Sequence, residues 1–488
     1  MVNTSLKKII KDIITVLQEY DAIDVFDFCF NLSLDRDFYI HSSDEAVRES
    51  AKTLIPWAIE VLMRLSFVFC KQNYELDHKY DDNKLMEQIR KIALWQLKFQ
   101  ENLRYHRKIY MKNYIKYLEY IFLVSPIFDI FRHRFYFTSN KSIYDKFIDK
   151  FGTEYDKFEE LALYYDISVF TRNFTKDKFR KNLEKYNDIL KHLSRPIEDI
   201  VNSYKKCKDK KAFIYLRTKY DLHSCPVINF GQTFCIPIYY MIKLSVGNIL
   251  MFKFTDNDQK LQQEVGKKQR EKYLCKIVKD SKCYKEVFCE EELDPLINGV
   301  GVSDVVATDD NNIVFLDSKS TYTNFQVLNL NDNGIKKHIE DIAEDIAQMY
   351  KHIYTHCVEE RAYQKFLTKE YTADEVYGIV VMRDFTVVKQ ELIFDQAYKD
   401  LKLTDLNKKA WMRKHIALLN IHDVEKIVFG GDSLIDFMKS TEGKMEDNNK
   451  LNERSMLFKP HKIIYKEYLD YYESLKRKIA IMASNDAK

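Results

Sequence analysis

The stretch Gly299-Val300-Gly301-Val302-Ser303-Asp304-Val305-Val306-Ala307-Thr308-Asp309-Asp310-Asn311-Asn312-Ile313-Val314-Phe315-Leu316-Asp317-Ser318-Lys319-Ser320 decides how this chain is read. Two apolar, β-branched runs flank a polar turn, the pattern of a β-hairpin. If the turn centres between Asp310 and Asn311, antiparallel partners carry numbers that sum to 621, as Asp304 and Asp317 do. The two carboxylates then face each other. Period-two alternation places Lys319 on the face of Asp317 and turns Ser318 away. Cross-strand Cβ atoms lie about 4.5 to 5.5 Å apart, so the carboxylates repel unless a cation neutralises them. Hard oxygen ligands suit Mg²⁺ or Mn²⁺, and Lys319 is placed to orient and help deprotonate a water beside a scissile phosphate. Apolar residues on both faces of the hairpin imply a sheet covered on both sides.

Outward from the hairpin, short runs rich in Val, Ile, Phe and Tyr alternate with helix-like segments from about residue 225 onward, an α/β signature. The expected order is a helix over 259–280, a strand over 284–290, the hairpin, a helix over 335–358, a strand over 376–383, a helix near 405–420 and a strand over 425–430. The polar segment 441–453 reads as a surface linker before a helical tail over 460–482.

Val302-Ser303-Asp304-Val305-Val306 and Phe315-Leu316-Asp317-Ser318-Lys319 resemble the metal-binding aspartate strand and the acid-x-Lys strand of the PD-(D/E)xK nucleases. Upstream, Gly266-Lys267-Lys268-Gln269-Arg270-Glu271-Lys272-Tyr273-Leu274 resembles that family's first core helix, and Glu271 matches the glutamate that often joins the metal shell. Downstream, Gln348 resembles a glutamine of some branches. No Pro precedes Asp304, and His352 stands where those branches carry a tyrosine. The resemblance covers about residues 260 to 430. It implies a restriction-endonuclease-like core with a mixed sheet, metal held by Asp304, Asp317 and Glu271 with help from the carbonyl after Asp317, and Lys319 as the water-positioning base. It further implies a nucleic-acid substrate, DNA ahead of RNA, and a setting in restriction or anti-phage defence, with a homo-oligomer or a partner protein in a defence complex.

The first half differs in architecture. Residues 1–230 contain only Gly152, whereas the other ten glycines fall between 231 and 443. Leu6, Ile9, Ile10, Ile13, Ile14 and Leu17 recur at helical spacing, and similar periodicity returns in 51–72, 84–124, 143–165 and 174–193. The expected division is therefore an all-α region over 1–230, a nuclease-like domain over 231–440, and a linker with a C-terminal helix over 441–488, giving an α+β chain. Ser194 reads as a helix N-cap before Pro196. With 77 basic and 74 acidic side chains, the formal net charge of +3 creates no global field, so any basic surface is local. Basic stretches interleaved with aromatics concentrate in 100–220, ending in Lys205, Lys206, Lys208, Lys210 and Lys211, and they suit phosphate contact and base stacking.

Nine scattered cysteines with no CxxC pair argue against a disulfide framework and for reduced thiols in a cytoplasmic protein. Ile236–Phe252 is too short and too polar to span a bilayer, so no membrane association is expected. His352 and His356 have zinc-ligand spacing but lack the intervening glutamate and read as a helix-surface pair. His223, Cys225 and Cys235 follow no recognised zinc spacing. Arg36 and His41 fit the Arg-x4-His pattern of HEPN ribonucleases, yet Ser33–Ser43 reads as a loop where that motif needs a helix. The leading expectation is a Mg²⁺- or Mn²⁺-dependent endonuclease. Its rivals are a non-catalytic helical adaptor with a degenerate nuclease fold and a metal-independent ribonuclease built on Arg36 and His41.

Overall fold

The computed structural model describes residues 2–40, 56–73, 80–101, 126–170, 183–206, 225–231, 234–238, 241–242, 245–256, 258–295, 301–320, 327, 331–365, 367, 369–383, 388–440 and 463–486. The chain is α+β and divides into two compact units, one comprising Met1–Phe122, Tyr144–Phe254 and Lys476–Lys488, the other Leu123–Ile143 and Thr255–Leu475.

The first unit is mostly helical, with helices Val2–Leu17, Ala22–Ile40, Pro56–Phe69, Asp82–Glu101, Tyr155–Phe170 and Ile197–Lys205 among its elements. Its apolar stripes are buried as their spacing demands: Ile13 and Leu17 are fully covered, and Phe67 stacks on Tyr204 with ring centroids 5.5 Å apart. The region is not all-α as expected. Ser194–Pro196 runs parallel to Val227–Asn229, which pairs antiparallel with Phe234–Cys235. Pro196 lacks an N–H and so fits the outer strand of this small sheet. The Ser194 hydroxyl therefore bonds back to the Lys191 carbonyl (2.8 Å) rather than capping the next helix. The unit continues past the expected boundary at 230 because Phe254 packs on Phe147, centroids 5.5 Å apart. The expected linker 441–453 lies outside the described residues.

The second unit is built on a five-stranded mixed sheet: β1 (Glu286–Cys289), β2 (Val305–Thr308), β3 (Ile313–Lys319), β4 (Val376–Met382) and β5 (Ile416–Asn420), side by side in that order. β1, β2 and β3 are antiparallel neighbours, and β3, β4 and β5 are parallel. The hairpin register pairs Val305 with Leu316 and Thr308 with Ile313, the sum of 621 read from the turn. Parallel pairing of β3 with β4 requires a crossover, and the chain supplies α3 (Asp332–Tyr350), continued as the π-helix Lys351–Glu359. Its companions are α1 (Pro126–Thr138), α2 (Gln269–Asp280), α4 (Gln390–Asp400), α5 (Leu406–His415), α6 (Ile421–Phe429) and the part of α7 (Lys466–Asp486) that ends at Leu475. β4 is buried along its whole length, so it shows no polar alternation. Gly378 lets α3 lie directly on β4, since a Cβ there would sit 2.6 Å from Cγ of Met349.

One strand is displaced from its expected place. Residues 425–430 fall in α6 and its C-cap, and the last strand is Ile416–Asn420, inside the expected helix. A short continuous apolar run does not distinguish a buried strand from a helix. The signal overlooked is Asn420-x-x-Asp423, a reciprocal cap in which Asn420 Oδ1 accepts from Asp423 N–H (3.0 Å) and Asp423 Oδ2 from Asn420 N–H (3.4 Å).

A buried ionic network ties α1, distant in sequence, to the sheet-bearing unit. Arg132 donates to Glu425 Oε2 on α6 (2.6 Å) and to Asp129, and Tyr273 of α2 donates to Glu425 Oε1 (2.7 Å). Burial alone would raise the Glu425 carboxyl, but Arg132 and its hydrogen bonds hold it below the usual range. Burial and then the Arg132 charge push His422 down to about 4, so its ring is neutral at neutral pH. Removing one partner of such a pair strands the other charge without solvent. Arg132→Leu is therefore expected to destabilise this unit by about 3 to 5 kcal/mol, and adding Glu425→Leu to recover part of the loss, read from urea denaturation of the three variants. An unchanged midpoint in Arg132→Leu would contradict this.

Candidate metal centre

Three elements converge at the end of the hairpin. Asp304 immediately precedes β2, and the register carries on through it: Asp304 N–H donates to Asp317 Oδ1 (3.3 Å), and Ser318 N–H donates to Asp304 Oδ2 (2.6 Å). On the other side, Glu290 follows β1, and its N–H donates to the Asp304 carbonyl (2.9 Å). Glu271 comes from the first turn of α2. Carboxylate oxygens of Glu271, Glu290 and Asp304 all lie within 4.8 Å of one another. Metal–oxygen distances of about 2.0 to 2.6 Å make that a cluster one cation can bridge.

The expected set was Asp304, Asp317 and Glu271, and the described residues add Glu290 while leaving Asp317 outside the close triad. A signal for Glu290 existed. β1 pairs with β2 with Cys289 opposite Val305, so the next pair is Glu290 and Asp304.

The electrostatics of the cluster are those of too much negative charge with too little solvent. Burial, then Asp317, then Glu271 push Asp304 well above the usual carboxylate range, against the Ser318 N–H and Lys319. Burial raises Glu271 and Glu290 adds to it, while Lys267 opposes. Glu271 Oε1 and Asp317 Oδ2 are buried without any hydrogen-bond donor. Acceptors in that state fit a cation, which would supply the missing positive partner.

Lys319 projects from the same face as Asp317. Its Nζ donates to Gln348 Oε1 (2.8 Å) and lies 3.7 Å from Asp317 Oδ2 and 3.8 Å from Asp345 Oδ1. Gln348 and Asp345 are three residues apart on α3, so one helix face holds the ammonium. Asp345 was not expected, although that spacing marks it as Gln348's neighbour. Arg270 fixes the strand end from the other side, donating to the Lys319 carbonyl (2.7 Å) and to the Gly266 carbonyl.

A disulfide joins Cys275 on α2 to Cys289 at the end of β1, Cα atoms 5.8 Å apart, and so ties together the elements bearing Glu271 and Glu290. This corrects the expectation of reduced thiols throughout. A bridge closing a loop of this size restricts the unfolded chain by about 3 kcal/mol in the chain-entropy picture. No motif spacing announces the pair.

The remaining sequence candidates are elsewhere. Lys205 and Lys206 are exposed at the end of helix Ile197–Lys205 in the first unit, and Lys208, Lys210 and Lys211 lie outside the described residues. Arg36 sits in helix Ala22–Ile40 rather than a loop, and His41 is outside the described residues. His352 and His356 are not a surface pair. His356 Nδ1 meets Glu360 (2.7 Å), whereas the wider π-helical turn leaves His352 buried, its Nε2 3.9 Å from Asp317 Oδ2. Cys225 is buried and in no disulfide, and His223 is not described.

Comparison of the chain with protein-family models, with curated proteins and with solved structures finds no match. No helix among the described residues is long and apolar enough to cross a membrane.

The raised Asp304 carboxyl sets the sign of a stability test. A carboxyl whose folded pKa lies above its ordinary 3.8 favours folding below that value and loses the contribution as pH rises through the folded pKa. Asp317→Asn removes one cause of the shift. Metal-free Asp317→Asn should melt no lower than wild type at pH 7, with the gap narrowing toward pH 4. Saturating Mg²⁺ or Mn²⁺ should reverse the order, stabilising wild type by about 2.7 kcal/mol at one hundred times Kd. A mutant that melts lower without metal, alongside a wild type indifferent to metal, contradicts the expectation.

Proposed function

We propose that this chain is a divalent-metal-dependent nuclease that hydrolyses phosphodiester bonds of nucleic acid, DNA in preference to RNA, through a PD-(D/E)xK-like centre. The observation that carries the reading is the convergence of Asp304, Glu271 and Glu290 beside Asp317 and Lys319 at one end of a covered mixed sheet. A structural role would pair such carboxylates with bases. Here Asp317 Oδ2 and Glu271 Oε1 are buried without a close donor, the Lys319 and Lys267 ammonium groups each standing 3.7 Å away and Lys319 bonded to an amide carbonyl.

A bound divalent ion would supply Lewis-acid stabilisation of the charge that develops on the phosphoryl oxygens. The chain's residues do the rest. Glu271, Glu290, Asp304 and Asp317 would hold the ion, and the Ser318 and Asp304 N–H groups lock the two aspartates in orientation. Gln348 and Asp345 keep the Lys319 Nζ beside Asp317, where it orients the attacking water and takes part in removing its proton. Arg270 holds the strand end that carries both. The basic segment around Lys205 and Lys206 is proposed to contribute phosphate contacts, and a setting in restriction or anti-phage defence follows only from the family resemblance.

The test incubates purified protein with plasmid, single-stranded DNA and RNA, each with Mg²⁺, Mn²⁺ or EDTA. Cleavage is expected only with metal. Asp304→Ala, Asp317→Ala and Lys319→Ala should each lower it by orders of magnitude without loss of fold, because positioning and charge stabilisation act as one unit. Full cleavage by Asp317→Ala and Lys319→Ala, or cleavage persisting in EDTA, overturns the assignment. Persistence in EDTA would instead favour the ribonuclease built on Arg36 and His41.

A further inference from the structure

Asp317 and His352 face each other from opposite walls of the centre, and neither is satisfied. Both side chains are 4% exposed, and His352 Nε2 stands 3.9 Å from Asp317 Oδ2. That is too long for a hydrogen bond. Asp317 Oδ2 and the ring nitrogens of His352 are buried without a hydrogen bond of good geometry, and among the described residues the one polar group acting on the ring at hydrogen-bond reach is the Gly301 backbone, which can serve a single nitrogen. Lys319, with its Nζ 3.7 Å from Asp317 Oδ2, is bonded to Gln348. Leaving the carboxylate oxygen and the other ring nitrogen dry and unpaired costs a few kcal/mol unless something joins them.

We propose that His352 is a nitrogen ligand of this centre, and that with Asp317 it forms a mixed oxygen–nitrogen subsite for a divalent transition-metal ion. The inference rests on the metal-dependent reading above and deepens it. An ion bound at about 2.0 to 2.2 Å from a carboxylate oxygen and an imidazole nitrogen spans ligand atoms about 2.8 to 4.3 Å apart, and 3.9 Å lies within that range. The backbone is arranged for this contact. His352 is the second residue of the π-helical segment Lys351–Glu359, and Gly301, on the chain entering β2, lies beside the ring. π-Helical turns concentrate at functional sites.

The subsite differs in chemistry from its neighbour. Glu271, Glu290 and Asp304 offer oxygen alone, which suits Mg²⁺, whereas an imidazole favours the later first-row metals and accepts Mn²⁺. His352 is thus assigned the selection of metal at the Asp317 side, at a position where the family resemblance puts a tyrosine.

The test uses the full chain with Mn²⁺ and no substrate. Electron spin-echo modulation should reveal an imidazole nitrogen bound to Mn²⁺ in wild type and lose it in His352→Gln. Mn²⁺ affinity by titration should fall at least tenfold in that variant while Mg²⁺ affinity changes less. Mn²⁺ bound by wild type with no nitrogen modulation overturns the assignment, whether or not His352→Gln folds, and leaves the carboxylate centre standing. Modulation that persists in a folded His352→Gln overturns it equally. Failure of wild type to bind Mn²⁺ at all removes this inference together with the reading beneath it, and Mn²⁺ binding lost in Asp317→Asn separates the two cases.

Discussion

Antiparallel pairing of β2 with β3 in a single register brings Asp304 and Asp317 together, and the rest of the centre is arranged around that unfavourable encounter. A slip of one residue in either strand would turn that strand's carboxylate to the opposite face, away from its partner, and exchange the side chains packed on each covered face. Burial of Val305, Val306, Val314, Phe315 and Leu316 on two covered faces therefore holds the register against the repulsion of the acids. The like charges are an expense that hydrophobic burial supports, and the raised Asp304 carboxyl is its electrostatic trace.

Holding the acids together also requires that the pieces bearing them do not drift apart. Glu271 is on a helix and Glu290 follows an outer strand, and the Cys275–Cys289 bridge lies one helical turn from the first and one residue from the second. On its far side, α2 is anchored through Tyr273 to Glu425 and so to Arg132 of α1. Hydrogen bonds to a buried, charged acceptor are among the stronger ones available. A segment more than a hundred residues upstream thus braces the helix that carries Glu271, which explains why residues 123–143 belong with the sheet-bearing unit.

Much of this was legible in the sequence because local rules and long-range demands agreed. The hairpin register followed from a polar turn between two β-branched runs, and periodicity and apolar content gave the helical stretch expected over 259–280, which includes a π-helical turn at Glu264–Lys268, and the strand expected over 376–383, observed at Val376–Met382. The failures have physical causes. Ile416–Asn420 lacks alternation because both its faces are covered, so its apolar run was as good a helix as a strand. Glu290 was hidden because its partner is set by β1 pairing, which no short-range signal specifies. Arg132 with Glu425 and Cys275 with Cys289 are products of tertiary folding, invisible to any window of a dozen residues.

The two sides of the centre answer the same electrostatic problem differently. On the Asp304 side, repulsion among three carboxylates is moderated by backbone N–H groups and the Lys267 charge. On the Asp317 side, an ammonium and a neutral ring stand nearly 4 Å away, close enough to bias the carboxylate and too far to satisfy it. The Gln348 amide gives the ammonium a neutral acceptor 2.8 Å away, and Asp345 on the same helix face draws on it from 3.8 Å. Shared among three acceptors, the ammonium makes only a long ion pair with Asp317, and Asp317 Oδ2 is left buried without a close donor.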